Sequence, residues 1–242
     1  MTPPQFFVHI VESPSPEELL DGRTEGTILR SFLEVCGIPH LYNLAVDIDQ
    51  LGVALSDRVA QGMQILNLQP VLHLSAHGGE TGLQLTDQRR TKQSLPWKNV
   101  AKLIKPIHQS VQGLGLCVSA CYGSSAKRMA EVLSKDDLPF LWTIGADSKA
   151  DIQDLALAFS VFYRRLQTGN LDRIAEVMTG AAGGVQFEVS FADSIQQEYR
   201  QNCNDALRRL LQLKKTPLQG LLDSQGDCAT LGNLGGLFGL AQ

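Results

Sequence analysis

The sequence of 242 residues lacks several features that define simple classes of protein. No apolar run approaches the ~20 residues that a membrane-spanning helix requires. The 21 basic and 25 acidic residues are mixed along the chain, without the basic excess typical of nucleic-acid-binding proteins. The first residues do not form a basic segment followed by an apolar one, as a secretion signal would. We therefore expect a cytoplasmic protein that binds neither membranes nor nucleic acid.

Motifs for cofactors and metals are missing as well. There is no Gly-x-Gly-x-x-Gly and no Gly-x-x-x-x-Gly-Lys-Ser/Thr, so a nucleotide site would lack its usual phosphate loop. The five cysteines are an odd number in a chain without a predicted secretion signal, which indicates free thiols, and the lack of a Cys-x-x-Cys pair argues against a zinc site. The surroundings of His73 and His77 are predicted to be a strand, where four residues span ~13 Å, too far for one zinc ion to bridge. We expect no cofactor and no metal.

What the chain does have is material for one large α/β fold. Hydrophobic residues make up 43% of it, and apolar runs of strand length alternate with helical patterns. Predicted strands cover residues 6–11, 40–46, 71–76, 82–86, 95–97, 114–120, 140–145 and 187–191. Predicted helices cover residues 17 or 24 to 35, 51–66, 98–111, 124–133, 151–166, 171–178 and 195–211. This alternation predicts a three-layer α/β/α sandwich with a mostly parallel central sheet. A single domain is expected over residues 1–225, followed by a glycine-rich tail over 226–242.

Two reactive side chains follow predicted strands of this sheet. His77 and Gly78 come directly after one strand, and Cys121 comes directly after the next long one. Since binding sites in parallel sheets form at the carboxyl ends of the strands, both side chains are expected on the same edge. A thiol and an imidazole there can act as a nucleophile and a base. Nearby glycines allow backbone N–H groups to approach a substrate carbonyl.

The alternative for any single cysteine or histidine is a role in packing, because cysteine is among the most buried residues. His73 and Cys117 lie inside the same two strands, and we expect both in the core. His77 and Cys121 differ because each stands at a strand end with a glycine nearby, and because they form a pair.

At these residues the sequence resembles caspase-like cysteine peptidases. The segment 71–78, VLHLSAHG, resembles their hydrophobic strand ending in His-Gly, and the segment 115–121, GLCVSAC, resembles the strand that ends in the nucleophile. The separation of 44 residues between His77 and Cys121 is typical of that group. The match is closest to bacterial CHAT domains, which are related to caspases and separase, and it covers roughly residues 70–166, including the strand at 141–147.

The resemblance implies a caspase-hemoglobinase-like fold and hydrolysis of protein substrates by a Cys–His dyad. Cys121 would attack the peptide carbonyl, His77 would transfer the protons, and the backbone N–H groups of Gly78 and Cys121 would form the oxyanion hole. No third acidic residue is obligatory in this group, and none stands out in the sequence. CHAT domains often accompany sensor domains in longer chains. This shorter chain is therefore expected to be an effector, switched on by a protein partner in bacterial antiviral defence or signalling.

The substrate side chain is predicted from Asp147, which follows the strand after the nucleophile. On the same edge of the sheet it could receive a Lys or Arg side chain, as acidic residues do in relatives specific for basic residues. The alternative is that Asp147, Ser148 or Asp151 caps the next helix. Arg23 offers the opposite preference, for an acidic side chain, although an exposed solvated arginine is the simpler interpretation.

Two further questions stay open from the sequence. The dibasic pairs Arg89-Arg90 and Lys214-Lys215 lie in polar segments of the kind that proteases cleave, which raises the hypothesis of self-processing. The competing hypothesis for the whole protein is a catalytically silent caspase-like module that binds a partner through the same edge. Silent members of such folds typically lose the histidine or the cysteine, and this chain has both.

Overall fold

A computed structural model describes residues 6–88, 94–111, 113–131 and 138–202. The chain divides into two compact units, residues 1–192 and residues 193–242. The first unit contains the α/β fold. Of the second unit, residues 193–202 are described, and they are helical. The predicted boundary at residue 225, the glycine-rich tail and both dibasic pairs lie outside the described residues and stay predictions.

The strands of the first unit follow the predicted order along the chain. They are β1 (Phe6–Ser13), β2 (His40–Leu44), β3 (Gln69–Gly79), β4 (Gly82–Gln84), β5 (Leu95–Pro96), β6 (Gly115–Ser119), β7 (Trp142–Ala146) and β8 (Phe187–Phe191). β3 is longer than predicted, because it continues through His77 to pair with β4.

The helices fill the segments between these strands. They are α1 (Pro16–Asp21), α2 (Glu25–Cys36), α3 (Ile48–Val53), α4 (Val59–Leu66), α5 (Trp97–Ser110), α6 (Arg128–Glu131), α7 (Ile152–Thr168) and α8 (Ile174–Ala181). A π-helical turn, Ala54–Arg58, joins α3 to α4, and a 3₁₀ turn, Gly123–Lys127, precedes α6. Among the described residues, no helix combines the length and the apolar character that crossing a bilayer requires.

Six strands lie side by side in the order β2-β1-β3-β6-β7-β8. The pairs from β2 to β7 are parallel, and β8 joins β7 as an antiparallel edge strand. The hairpin of β4 and β5 extends from the end of β3. The predicted mostly parallel sheet is therefore confirmed, and β3 and β6 are direct neighbours at its centre.

Both faces of this sheet are covered by helices. Val8 belongs to the core cluster that includes side chains of α2, α7 and α8. Phe7 points to the opposite face, since successive strand residues alternate. There its ring lies against Gly62 of α4, where an added Cβ would lie 3.1 Å from two ring carbons. The predicted three-layer sandwich is thus confirmed.

Of the two predicted starts of the first helix, residue 24 agrees with α2, and the residues after 15 form a separate short helix, α1. Ser15 and Glu18 form a capping box at the start of α1, in which each side chain accepts a hydrogen bond from the other residue's backbone N–H. Gly22, with a φ of 65°, ends this short helix in the left-handed conformation. α2 then starts at Glu25, and Glu18 of α1 and Glu25 line one small pocket together with Ser13, the last residue of β1.

His9 of β1 is completely buried beneath the π-helical turn. Its Nε2 donates a hydrogen bond to the carbonyl of Ala54 at 2.9 Å, while Nδ1 has no hydrogen-bond partner among the described residues. Protonation would place a second N–H in this apolar site. Burial accordingly lowers the pKa of His9 to about 4, although the Ala54 hydrogen bond acts in the opposite direction.

This histidine makes folding stability depend on pH. The pKa is lowered in the folded state, so the unfolded chain binds the proton first and stability falls as the pH drops below about 6.5. Between pH 7 and pH 5 the loss from His9 alone is about 2 kcal/mol. Urea unfolding of the wild type and of His9→Gln at both pH values measures it. The difference in unfolding free energy between the two proteins should be smaller at pH 5 than at pH 7 by that amount. An equal difference at both pH values would contradict the assignment of the pH dependence to His9.

Candidate active site

The two reactive side chains are brought together by the pairing of β3 with β6. The last registered pair of these parallel strands is Ser75 with Ser119. His77 and Cys121 each follow that pair by two residues, and both line the same two pockets at this edge of the sheet. The two side chains therefore lie at the ends of neighbouring strands, on one edge of the sheet.

His77 has a carboxylate beside it. Its Nε2 lies 3.3 Å from Oε2 of Glu18, and both side chains are partly exposed. The capping box of α1 holds this carboxylate, because the Ser15 N–H donates to the same oxygen at 2.6 Å. Burial acts to raise the pKa of Glu18, but the Ser15 hydrogen bond and the nearby imidazole outweigh it and leave the pKa below its usual value. Glu18 can therefore orient the ring through Nε2.

Glu18 is the functional candidate that the sequence reasoning missed, since no third acidic residue stood out. One signal for it was present. Ser15-x-x-Glu18 is a capping-box pattern directly after a strand, which fixes the start of a helix at the carboxyl edge of the sheet. The pattern predicts where the carboxylate lies, but its contact with His77, 59 residues further along, appears only in three dimensions.

Cys121 stands in a sharp turn after β6. The next residue, Tyr122, has a φ of 57°, a left-handed conformation that is uncommon for a residue other than glycine. Its backbone N–H donates to the carbonyl of Ser148 at 2.9 Å. The half-buried thiol of Cys121 lies 3.6 Å from the carbonyl oxygen of Ala150, to which it donates. The nucleophile candidate is thus attached to the loop between β7 and α7.

Gly78 lies where β3 passes closest to the candidate nucleophile. A Cβ added to it would lie 2.7 Å from the carbonyl oxygen of Cys121 and 2.7 Å from Cβ of Ala120. Only glycine therefore permits this approach of the two backbones. The role of the Gly78 and Cys121 N–H groups as an oxyanion hole stays a prediction.

Two pockets adjoin His77 and Cys121. The inner one, of about 40 Å³, extends from His77 and Cys121 down to Glu25, Ser75 and Ser119. The outer one is an open cleft of about 500 Å³ that is also bordered by Glu18 and by the loop and first turn of α7, residues 149–154. Only the outer cleft has room for several residues of a peptide.

Asp147 does not line either of these pockets. It is exposed at the end of β7, where its backbone N–H donates to the carbonyl of Gln186. The described acidic residues that border the outer cleft are Glu18, Asp151 and Asp154, with Lys149 as the basic residue among them. Asp151 stands at the N-cap of α7 without a capping hydrogen bond from its side chain.

His73 and Cys117 are core residues, as predicted. Both are fully buried. His73 Nδ1 lies 3.0 Å from the Tyr163 hydroxyl, and its ring packs edge-on against Phe159. Burial raises the pKa of the Cys117 thiol well above its usual value, which leaves that thiol unreactive. His73 and Cys117, inside the two strands, therefore belong to the core, whereas His77 and Cys121, at the strand ends, are partly exposed.

The comparisons with known proteins concern the fold. No protein-family model matches the sequence, and no curated protein matches it. The structure is similar to that of a secreted C11 cysteine protease from Bacteroides thetaiotaomicron, solved in complex with an irreversible peptide inhibitor. The TM-score is 0.50 at 7% sequence identity, and the similarity covers 80% of this chain and 68% of the other. It establishes that this chain has the fold of that protease.

The close approach at Gly78 gives a paired prediction. Gly78→Ala forces a methyl group against the Cys121 carbonyl, so β3 and β6 must separate, and we expect a loss of about 1–3 kcal/mol in unfolding free energy. The rate of Cys121 alkylation by iodoacetamide should change as well. Gly79→Ala is the matched control, because no heavy atom lies within 4 Å of its added Cβ.

Urea unfolding and mass-spectrometric mapping of alkylated Cys121 measure both effects. Equal behaviour of the two variants would show that the contact of Gly78 with Cys121 does not control the site.

Proposed function

We propose that this chain is a cysteine endopeptidase in which Cys121 is the nucleophile and His77 the general base and acid. The observation that carries the proposal is that the two side chains border one open cleft at the ends of paired strands. An imidazole that can accept the thiol proton converts cysteine into a strong nucleophile. The fold shared with a C11 cysteine protease supports the proposal.

The reaction proceeds in two halves. As Cys121 Sγ forms a bond to the peptide carbonyl carbon, the thiol proton moves to Nδ1 of His77, while Glu18 orients the ring through Nε2. The tetrahedral oxyanion is stabilised by the N–H groups of Gly78 and Cys121. When the C–N bond breaks, the imidazolium gives its proton to the leaving amine. Water, deprotonated by His77, then hydrolyses the thioester and restores the thiol.

The cleft favours a basic side chain in the substrate. Asp151, Asp154 and Glu18 border it against Lys149 alone among the described residues, so its potential is negative. A peptide with Lys or Arg next to the scissile bond complements that charge. Asp147 is retained as a proposed substrate contact from the sequence, although it stands outside the cleft.

The cellular role is proposed from the sequence resemblance to CHAT domains. On that basis the protein is a cytoplasmic effector of bacterial defence or signalling, switched on by a protein partner. Self-processing at the dibasic pairs is a separate proposal. The alternative function is a catalytically silent module that binds a partner through the same cleft. Such a module needs no reactive thiol, so the reactivity of Cys121 distinguishes it from an endopeptidase.

The reactivity of Cys121 can be measured with a covalent probe. A peptidyl chloromethyl ketone should alkylate wild-type Cys121, and His77→Ala should lower the rate at least about 100-fold, because the general base is removed. Peptide mapping by mass spectrometry locates the label and separates Cys121 from the other thiols. Cys36→Ala is the matched control, since Cys36 is also a free, half-buried thiol but lies at the end of α2.

If wild-type Cys121 stays unlabelled, both alone and in a lysate of the source cells, the silent module is the better description. Labelling that is independent of His77 would show a reactive thiol without a dyad.

A further prediction concerns the charge of the substrate side chain that precedes the scissile bond. Fluorogenic peptides with Arg before the scissile bond should be cleaved faster than the same peptides with Asp. Asp151→Asn should lower kcat/KM for the Arg peptide about fivefold, equivalent to the ~1 kcal/mol of a partly exposed ion pair. Asp147→Asn, measured beside it, tests the sequence-based assignment. An unchanged kcat/KM would remove Asp147 from the site, and a preference for Asp peptides would overturn the charge argument as a whole.

A further inference from the structure

A third carboxylate lies directly behind the dyad. Glu25, the first residue of α2, is only 3% exposed. Its Oε2 accepts a hydrogen bond from the Ser75 hydroxyl and its Oε1 accepts one from the Ser119 hydroxyl, each at 2.6 Å. These are short, charge-assisted hydrogen bonds. One buried side chain therefore joins β3 and β6 through both of its oxygens.

The position of this link along the strands is what gives it a role. Ser75 and Ser119 are the last registered pair of β3 with β6, beyond which β3 turns to pair with β4. His77 follows two residues after Ser75, on the same face of the strand, and Cys121 follows two residues after Ser119. The separation of the two serines therefore sets the separation at which the imidazole and the thiol leave the sheet.

The polar groups around the Glu25 carboxylate are few, and the two serine hydroxyls are its hydrogen-bond donors among the described residues. Besides the two hydroxyls, it has His73 Nε2 at 3.3 Å from Oε1, although that nitrogen is not aligned for a hydrogen bond. No lysine or arginine among the described residues pairs with it. The two serine hydroxyls stabilise the buried carboxylate together with the N-terminus of α2, at which Glu25 stands, and removing either hydroxyl takes away one of its two hydrogen bonds.

We propose that Glu25 is a positioning residue, which holds Ser75 and Ser119 together and thereby fixes the distance between His77 and Cys121. The inference deepens the proposed function and rests on it. Glu25 touches no reacting atom and acts through the two strands. A direct contact of Glu25 with a basic substrate side chain through the inner pocket is the competing role, and it would raise KM for Arg peptides rather than lower kcat.

The experiment measures the dyad with and without a substrate. Glu25→Gln, Ser75→Ala, Ser119→Ala and the double serine variant are compared with the wild type. The first readout is the pH profile of Cys121 alkylation by iodoacetamide, which reports the coupling of thiol and imidazole and needs no substrate. The second is kcat and KM for the Arg peptide. Thermal unfolding of each variant accompanies both readouts.

Loosening the dyad should lower kcat and leave KM within about twofold. Because a 1 Å misplacement costs about 100-fold, we expect up to that loss in Glu25→Gln and about 10-fold in each single serine variant. The double serine variant should lose about as much as Glu25→Gln, since all of them break one link. The low-pH limb of the alkylation profile should move toward that of His77→Ala.

Two control variants match these changes. Glu12→Gln alters an equally buried carboxylate that accepts hydrogen bonds from the Gly26 N–H and the Tyr42 hydroxyl, so it joins α2 and β2 instead of β3 and β6. Ser160→Ala removes a buried hydroxyl that bonds within α7. Ser160→Ala should leave the alkylation profile unchanged, even where it lowers the melting temperature. Glu12 lines the same inner pocket and binds Gly26, next to Glu25, so Glu12→Gln should shift the profile less than Glu25→Gln does.

The outcomes separate this proposal from the function on which it rests. If wild-type alkylation does not depend on His77, the endopeptidase proposal itself fails. If it depends on His77 but Glu25→Gln and the serine variants keep the wild-type profile, only the positioning role is overturned. A change in KM alone, or an equal shift in Glu12→Gln, overturns it too. Should Glu25→Gln fail to fold, the single serine variants, which each keep one hydrogen bond, give the same decision.

Discussion

The parallel pairing of β3 with β6 is the contact on which the candidate site depends. Every group of the proposed chemistry is placed relative to the pair Ser75 and Ser119, where the two central strands end their register. Glycine at position 78 lets the backbones stay close beyond that point, and Tyr122 adopts a left-handed conformation in the turn directly after Cys121. Both features bring a cost in conformational freedom or strain, and a parallel sheet covered on both faces supplies the rigidity to maintain them.

The sequence predicted the fold well because periodicity and strand ends are local signals. Strand-length apolar runs separated by helical patterns predicted the mostly parallel sheet, and the rule about carboxyl strand ends selected His77 and Cys121. The burial of His73 and Cys117 followed from their places inside the same strands. Of the two starts predicted for the first helix, residue 24 agrees with the N-cap of α2, whereas one continuous helix from residue 17 was wrong, since Gly22 ends α1.

What the sequence did not predict are contacts between distant segments. Glu18 and Glu25 look like ordinary acidic residues at helix starts, where the helix dipole favours them. Their contacts with His77, Ser75 and Ser119 depend on how α1 and α2 cross the end of the sheet, which no spacing in the chain encodes. Asp147 illustrates the converse. Its place after a strand was predicted correctly. The loop that follows, however, brings Asp151 and Asp154 to the cleft, whereas Asp147 does not border it.

The hydrogen bond between Glu18 and His77 has a consequence for the order in which the candidate site is assembled during synthesis. It closes a loop of 59 residues, and the thiol comes from a third segment further along. Loop closure of this kind is completed only when the centre of the sheet has formed. A nascent chain still on the ribosome, before β6 and the turn to Ala150 have emerged, contains the imidazole and its carboxylate but neither the sulfur nor its anchor. The pair of side chains on which the proposed function rests is therefore complete only after β6 and the turn that follows it have been synthesised.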